Sequence, residues 1–559
     1  MKNLSAGIVL ATLLAGTAVA PTGAAAEDRA ALMSQHRGGA IRAVAKAAGG
    51  TMDPQINYTL QYWQIYQAIY DGLLAFKKGQ GTEGFKVVAD LAEEVPAPQD
   101  DGKTYVFKLR KGIKFSNGDP VTVKDVVASF QRIFKISGPT AGTFYNLIVG
   151  ADACIKTPAS CTLDGGVVGD DAAGTITFHL TQADPEFMDK LAVPHASILP
   201  AATPAKDMGT DIIPGTGTYT IKSYNPNERI DIVRNPYFKE WSADAQPDGF
   251  VDEISYEFGL TEEAAITAIQ NGQADWMFDP PPADRLNEIG TKNADQVHVN
   301  PLTAVWYAPL NVNLPPFNDE RVRKALNYAI DRDALVGIFG GAQLAAPVCQ
   351  ILPPGFPGHV DSCIYTANPG TAWSAPDLDK AKKLVEDSGT KGQEVAIVTE
   401  DSEVSKNVGT YIQSVLNDLG YKASVKPISS NIQFTYIQNT NNKVQISISQ
   451  WYQDYPAASD FLNVLLSCDS FHPGSDASIN IAGMCDKDLD ARMKATLKQA
   501  LTDPENADAE WAKIDQAYME KAPWAPLFTP KHVDFVSKRL GNFTFSNQFY
   551  WLPALSWVK

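Results

Sequence analysis

The side chains best able to do chemistry in this 559-residue sequence are seven histidines, six cysteines and 64 carboxylates. The histidines stand at 36, 179, 195, 298, 359, 472 and 532. No two share the i, i+4 spacing by which one helix face offers a pair of imidazoles to zinc. Neither His-Glu-x-x-His nor Gly-x-Ser-x-Gly occurs, so metalloprotease and α/β-hydrolase chemistry have no anchor. A Gly-x-x-x-x-Gly-Lys-Ser/Thr phosphate loop is also missing. One Gly-x-Gly-x-x-Gly is present, at Gly79, Gly81 and Gly84. It leads into 85–88, which reads as strand, whereas a dinucleotide site needs a helix there; a glycine-rich turn is expected instead. The Asp and Glu residues are scattered, and spacing alone picks out no glycosidase pair. No catalytic residue, metal ligand or cofactor is assigned, and a secreted hydrolase stands as the alternative class.

The cysteines form three sequence-local pairs: Cys154 with Cys161, Cys349 with Cys363, and Cys468 with Cys485. No Cys-x-x-Cys occurs, which argues against a zinc knuckle or a thioredoxin-type site. In an oxidising compartment such pairs close local loops as disulfides. Counting alone leaves other connectivities open, and local pairing is the preferred one.

The start of the chain points to that compartment. Lys2 precedes an apolar run at 8–20, and small residues at 23–26 lead into Glu27 and Asp28. This is the pattern of a secretion signal over 1–26, cleaved near Ala26, and the run is short for a membrane span. It holds no cysteine, so no lipid anchor is expected there. No later stretch is long and apolar enough to cross a bilayer. An exported protein of the periplasm or cell envelope is expected. The net charge of -17 and pI near 4.9 argue against a nucleic-acid partner, which would require a basic face.

Along the chain, strand and helix signals alternate, and 44 % hydrophobic residues suffice for packed cores. Alternation marks strands at 40–45, 104–110, 175–180, 218–224, 229–233, 395–399 and 444–449. Asp101-Gly102 precedes the second of these as a turn signal. Asn318 is expected to cap a helix carrying Val322, Ala325, Leu326, Ala329 and Ile330 at helical spacing. Asp377 is expected to cap another, running through Ala381, Leu384 and Val385 to Gly389. A third carries Val404, Val408, Tyr411, Ile412, Val415, Leu416 and Leu419 before Gly420. These stripes read as core. The fold class is α/β, with sheets covered by helices.

Several segments, in order, resemble the large extracytoplasmic solute-binding proteins of the oligopeptide/dipeptide/nickel-type ABC importers, the bacterial extracellular solute-binding protein family 5. They include GGAIRAVAKAAGGTMDPQIN at 38–57, IYDGLL at 69–74 and GTGTYTIKSYNPNERIDIVRNPYF at 215–238. The most specific is LAEEVPAPQDDGKTYVFKLRKGIKFSNGDPVTVKDVVASFQRI at 91–133. AAITAIQNGQADWMF at 264–278, PPFNDERVRKALNYAIDRDALV at 315–336, LPPGFPG at 352–358 and APWAPLF at 522–528 follow. The resemblance covers essentially the whole chain after the signal.

It implies a bilobal periplasmic-binding-protein type II fold with a hinge and an extra inserted domain. Lobe I would hold 27–72, 207–300 and 530–559, the inserted domain 73–206, and lobe II 301–529. The implied role is to capture a peptide between two closing lobes and deliver it to ABC permease subunits, as a monomer. Nickel-chelate, opine, oligosaccharide or haem cargo is the alternative within the same role. In similar peptide binders a carboxylate three residues after a Trp receives the peptide ammonium, and Asp454 stands in that position after Trp451. The segments matching the peptide-pairing edges are 46–51, including Ala48 and Gly49, and 449–453. Trp451, Tyr452 and Tyr455 are candidate walls, with Tyr145 from the inserted domain. Members that hold a peptide carboxylate often carry Arg shortly before that Trp. Here 437–450 contains only Lys443.

Overall fold

The alternating segments near the start find each other first. In the computed structural model, which describes residues 23–475 and 478–559, Ala40–Ala45 lies parallel to both Trp276–Met277 and Glu253–Phe258. Arg229–Arg234 and Tyr219–Asn225 continue this sheet antiparallel. Ile254, Tyr256 and Phe258 point to one buried face while Glu253, Ser255 and Glu257 face outward, the period-two signature of a half-covered strand. Most of the signal assigned to 1–26 lies outside the described residues, which open on a helix over Gly23–His36.

A second sheet orders Thr104–Lys108, Thr175–His179 and Val167–Asp170, all antiparallel. Helix Val123–Lys135 packs on it; Thr122 and Asp125 form a capping box that satisfies its first amides. One apolar core runs through both sheets, from Ile41 to Ala554. Within it the glycine-rich turn behaves as expected. A short 3-10 helix over Thr82–Phe85 leads into strand Val87–Ala89, and a Cβ on Gly84 would collide with Ser546 Oγ.

A separate core gathers residues from Val305 to Phe528. Its mixed layer contains the parallel set Lys422–Ile428, Glu394–Glu400 and Ile446–Ser447, crossed by helix Glu403–Asp418. Val408, Ile412 and Leu416 on that helix are fully buried, as their spacing predicts. A second sheet orders Val297–Pro301, Trp524–Phe535, Ala304–Pro309 and Ser449–Tyr452, with Ala345–Pro347 also beside Trp524–Phe535. The 12-residue strand Trp524–Phe535 pairs with strands on both sides of the turn at 302–303 and ties the two bodies together.

Asp377 caps its helix through Lys380 N, and Gly389 ends it in the left-handed region, as expected. Other local expectations shift. Asp319, not Asn318, caps Glu320–Ala329, accepting from Arg321 N at 2.9 Å. That helix stops before Ile330, which is extended, because Asp331 caps a new one over Arg332–Phe339. The strand expected over 444–449 is split. Ile446–Ser447 belongs to the parallel sheet, and Ser449–Tyr452 crosses to the edge of the other. That crossing positions the candidate site.

Three disulfides fasten surface loops onto these cores. Cys154 is bonded to Cys161, with a Cα separation of 4.5 Å, and joins helix Ala151–Lys156 to the loop that follows it. Cys349 is bonded to Cys363 at 5.0 Å, and Cys468 to Cys485 at 4.6 Å. All three separations suit an unforced bridge. The pairs are the sequence-local ones, and among the described residues no cysteine is left free.

Candidate functional site

The site grows from the edge strand Ser449–Tyr452. One edge pairs with Ala304–Tyr307 in antiparallel register, and the strand is the last of its sheet. The chain then turns through Asp454 and Pro456 into helix Ser459–Leu466. Fully buried Asp460 fastens the turn, accepting from Asp454 N at 3.0 Å and from Trp451 Nε1 at 3.4 Å. Burial, and then the neighbouring charge of Asp454, hold the Asp460 carboxyl far above the usual range. Asp460 is the member of the pair that fastens the turn.

Asp454 faces two cavities. Burial pushes its carboxyl up to about 7, and the facing Tyr58 hydroxyl pulls in the opposite direction. Tyr58 stacks on Trp63 at 5.3 Å and meets the edge of His195 at 4.9 Å. The preceding turn is locked by Arg132, whose Nη1 lies 3.2 Å from Asp53 Oδ1 and 2.8 Å from Gln55 Oε1. The phenol is thus aimed by rigid neighbours while 43 % of Tyr58 remains open to the cleft.

Two cavities meet here, of about 440 and about 460 Å³, and Tyr58, Tyr452 and Asp454 line both. Each lies within the roughly 300–1,000 Å³ of small-molecule sites. The first is walled by Phe144, Phe434, Trp451 and Tyr455, with Glu400 as its second carboxylate. The second is walled by Trp63 and Tyr550 and carries Lys531 and His532. Among the described residues no lysine, arginine or histidine lines the first cavity.

The walls come from sequence-distant segments that touch one another around the cavities. Ser459 Oγ donates to the Glu186 carboxylate, and Phe144 meets Tyr455 edge-on at 5.7 Å. Gln548 Nε2 donates to Asp454 O at 3.0 Å and Gln453 Nε2 donates to Gln548 Oε1. Lys190, 2.8 Å from Asp184 Oδ2, lies 5.5 Å over the Tyr455 ring.

Trp451, Tyr452, Asp454 and Tyr455 are therefore brought together, Tyr452 42 % exposed and Tyr455 almost fully covered. Tyr145 is not a wall: it is fully buried and donates to Lys190 O at 2.8 Å. Its neighbour Phe144 lines the first cavity instead. Ala48 and Gly49 line neither cavity. Gly49 O accepts from Asn57 Nδ2 at 2.7 Å and Ala47 O from Gln61 Nε2 at 2.9 Å, so this stretch spends acceptors on its own loop. Tyr58, Phe144, Glu400, Lys531 and Gln548 carry no local sequence signal for a cleft position. None of the bridged cysteines, Cys154, Cys161, Cys349, Cys363, Cys468 or Cys485, lines either cavity, so the disulfides hold the frame and not the ligand. Among the described residues no group of three or more His, Cys, Asp or Glu is arranged to hold a metal ion. No helix among them is long and apolar enough to cross a membrane.

The family model described as bacterial extracellular solute-binding proteins, family 5 Middle, matches residues 86–472. The chain belongs to this family. Among relatives of this family 5 protein, the periplasmic oligopeptide-binding protein OppA of Escherichia coli is 26 % identical over 568 residues, covering 97 % of this chain and 96 % of OppA. The glutathione-binding protein GsiB of Salmonella choleraesuis is 26 % identical over 504 residues, 88 % and 89 % of the two chains. The solved structure of clavulanic acid biosynthesis oligopeptide binding protein 2 superposes with a TM-score of 0.84 at 22 % identity, over 94 % and 96 % of the chains. DppA from Helicobacter pylori in complex with the peptide STSA gives 0.72 at 20 %, over 94 % and 99 %. These superpositions carry the fold: a mixed α/β, bilobal type II architecture.

Proposed function

We propose that this family 5 protein captures peptides in the double cavity around Asp454 and hands them to the permease subunits of an ABC importer. The observation that carries the reading is Asp454 itself, a largely buried carboxylate where two ligand-sized cavities meet, with no cation paired to it among the described residues. An unpaired buried carboxylate is costly, and a ligand ammonium is the partner that relieves the cost through a charge-assisted hydrogen bond. The free edge of Ser449–Tyr452 offers main-chain groups to an extended ligand, which suits recognition of many side-chain sequences. The names of the relatives, an oligopeptide binder and a glutathione binder among them, support the same ligand class.

Closure supplies the transport signal. Lobe I is assigned 27–72, 207–300 and 530–559, the inserted domain 73–206 and lobe II 301–529. The paired strands Val297–Pro301 and Trp524–Phe535 serve as the hinge. A ligand touching both lobes gains its full contacts only in the closed form, so it selects that form for the permease. The protein acts as an exported monomer after loss of its signal. Native mass spectrometry of the purified mature chain, followed by denaturation, tests the class. Co-released peptides support the reading, and a non-peptide mass stoichiometrically bound overturns it.

A further inference from the structure

The two cavities differ in charge. The first is lined by two carboxylates, Asp454 and Glu400, and otherwise by aromatic, aliphatic, hydroxyl and amide side chains. The second carries a lysine and a histidine beside the shared Asp454. Glu400 is the last residue of strand Glu394–Glu400, so its backbone is fixed by the parallel sheet, and its amide donates to Ser405 Oγ. Its carboxylate accepts from Gln450 Nε2 at 3.0 Å, a neutral donor. Among the described residues neither Glu400 nor Asp454 is ion-paired, whereas Glu186 on the far side of Tyr455 has Lys190 at 3.6 Å. Two carboxylates facing one cavity without a cation call for a ligand bearing two cations. The aromatic rings that line the same cavity suit the alkyl stem and flat head of a long basic side chain.

We infer that Glu400 is a specificity-determining residue that receives the basic side chain of the ligand's first residue while Asp454 holds its α-ammonium, so that peptides beginning with arginine or lysine are the preferred class. This rests on the peptide reading. The order of the two acids follows from placement: Asp454 sits where the cavities join, so the chain can continue into the second, while Glu400 lines only the first. Phe434 and Trp451 line the same cavity as the two acids.

Titration calorimetry with Arg-Ala-Ala-Ala and its neutral analogue citrulline-Ala-Ala-Ala separates the possibilities. The wild type is expected to bind the arginine peptide about tenfold or more tightly. Glu400→Gln keeps the acceptor for Gln450 and is expected to bring the two affinities within about twofold. Retained citrulline binding also shows that the variant is folded. Equal affinities in the wild type, or a preference that survives Glu400→Gln, overturn this inference and leave peptide capture standing. Binding of neither peptide by the wild type overturns peptide capture and the inference with it.

Discussion

The side-chain amide of Gln548 donates to the backbone oxygen of Asp454 at 3.0 Å while its carbonyl accepts from Gln453. A residue of the C-terminal segment thus grips the turn that presents the Asp454 carboxylate. Gln548 is buried, and Asp454 N is held from the other side by Asp460. Asp460 thus holds the acid from within its own segment, and Gln548 adds a hold from the C-terminal segment.

Removing that grip is expected to act on the bound state. Gln548→Ala deletes two hydrogen bonds across the proposed lobe boundary, worth about 1–2 kcal/mol together. Stopped-flow binding is expected to show faster ligand dissociation with association nearly unchanged. An unaltered dissociation rate would mean that the bridge contributes nothing to closure.

The protonation of Asp454 sets a pH dependence. In the free protein its carboxyl titrates near 7, and an ammonium beside it favours the charged form, lowering that value in the complex. The complex then binds fewer protons than the free protein. Affinity is expected to rise with pH through about 7 and to fall by up to about tenfold per unit below it. Calorimetry at pH 7 in buffers of different ionisation enthalpy is expected to show net proton release on binding. Affinity that is flat from pH 5 to 8 would remove Asp454 from the ligand.

The same desolvation has a cost in stability. A carboxylate whose folded value is raised destabilises the fold above its unfolded value near 4, with the full penalty present once pH passes about 7. Asp454→Asn is therefore expected to stabilise the unliganded protein at pH 8, by about 1–3 kcal/mol for a partly solvated group, and hardly at all at pH 4. Chemical denaturation at the two values measures this. A variant equally stable to wild type at both would show that the acid is not desolvated.

Much of the architecture was legible because it follows from short-range rules. The cap at Asp377 and the stripe Val408–Ile412–Leu416 need only local spacing, and the structure keeps them. Asp454 was singled out by the family resemblance of its place after Trp451, and the structure sets both residues on the wall of one cavity. Tyr58, Phe144 and Gln548 were not, since their place in the cleft depends on tertiary packing of distant segments. Tyr145 missed the wall by one residue: Phe144 lines the first cavity, and which of the two rings reaches it depends on tertiary packing. The split at Ile448 was hidden because the alternation from Val444 to Ser449 reads alike whether it serves one sheet or two.

The disulfides give a further check. Cys154 with Cys161, Cys349 with Cys363, and Cys468 with Cys485 close sequence separations of 7, 14 and 17 residues. Each is expected to contribute about 2–3 kcal/mol by restricting the unfolded chain. Thiol titration of the denatured, unreduced protein is expected to find no free thiol. Reduction is expected to lower the thermal midpoint. A reactive thiol before reduction would contradict the three-bridge arrangement.

Titration of one tetrapeptide with a free amino terminus, Arg-Ala-Ala-Ala, against its N-acetylated form at pH 7.5 tests the ammonium site directly. The free peptide is expected to bind, and acetylation is expected to weaken it by about 2–5 kcal/mol, an effect that Asp454→Ala reproduces on the free peptide and does not add to on the acetylated one. Equal binding of the two forms by the wild type would contradict capture of the peptide ammonium by Asp454.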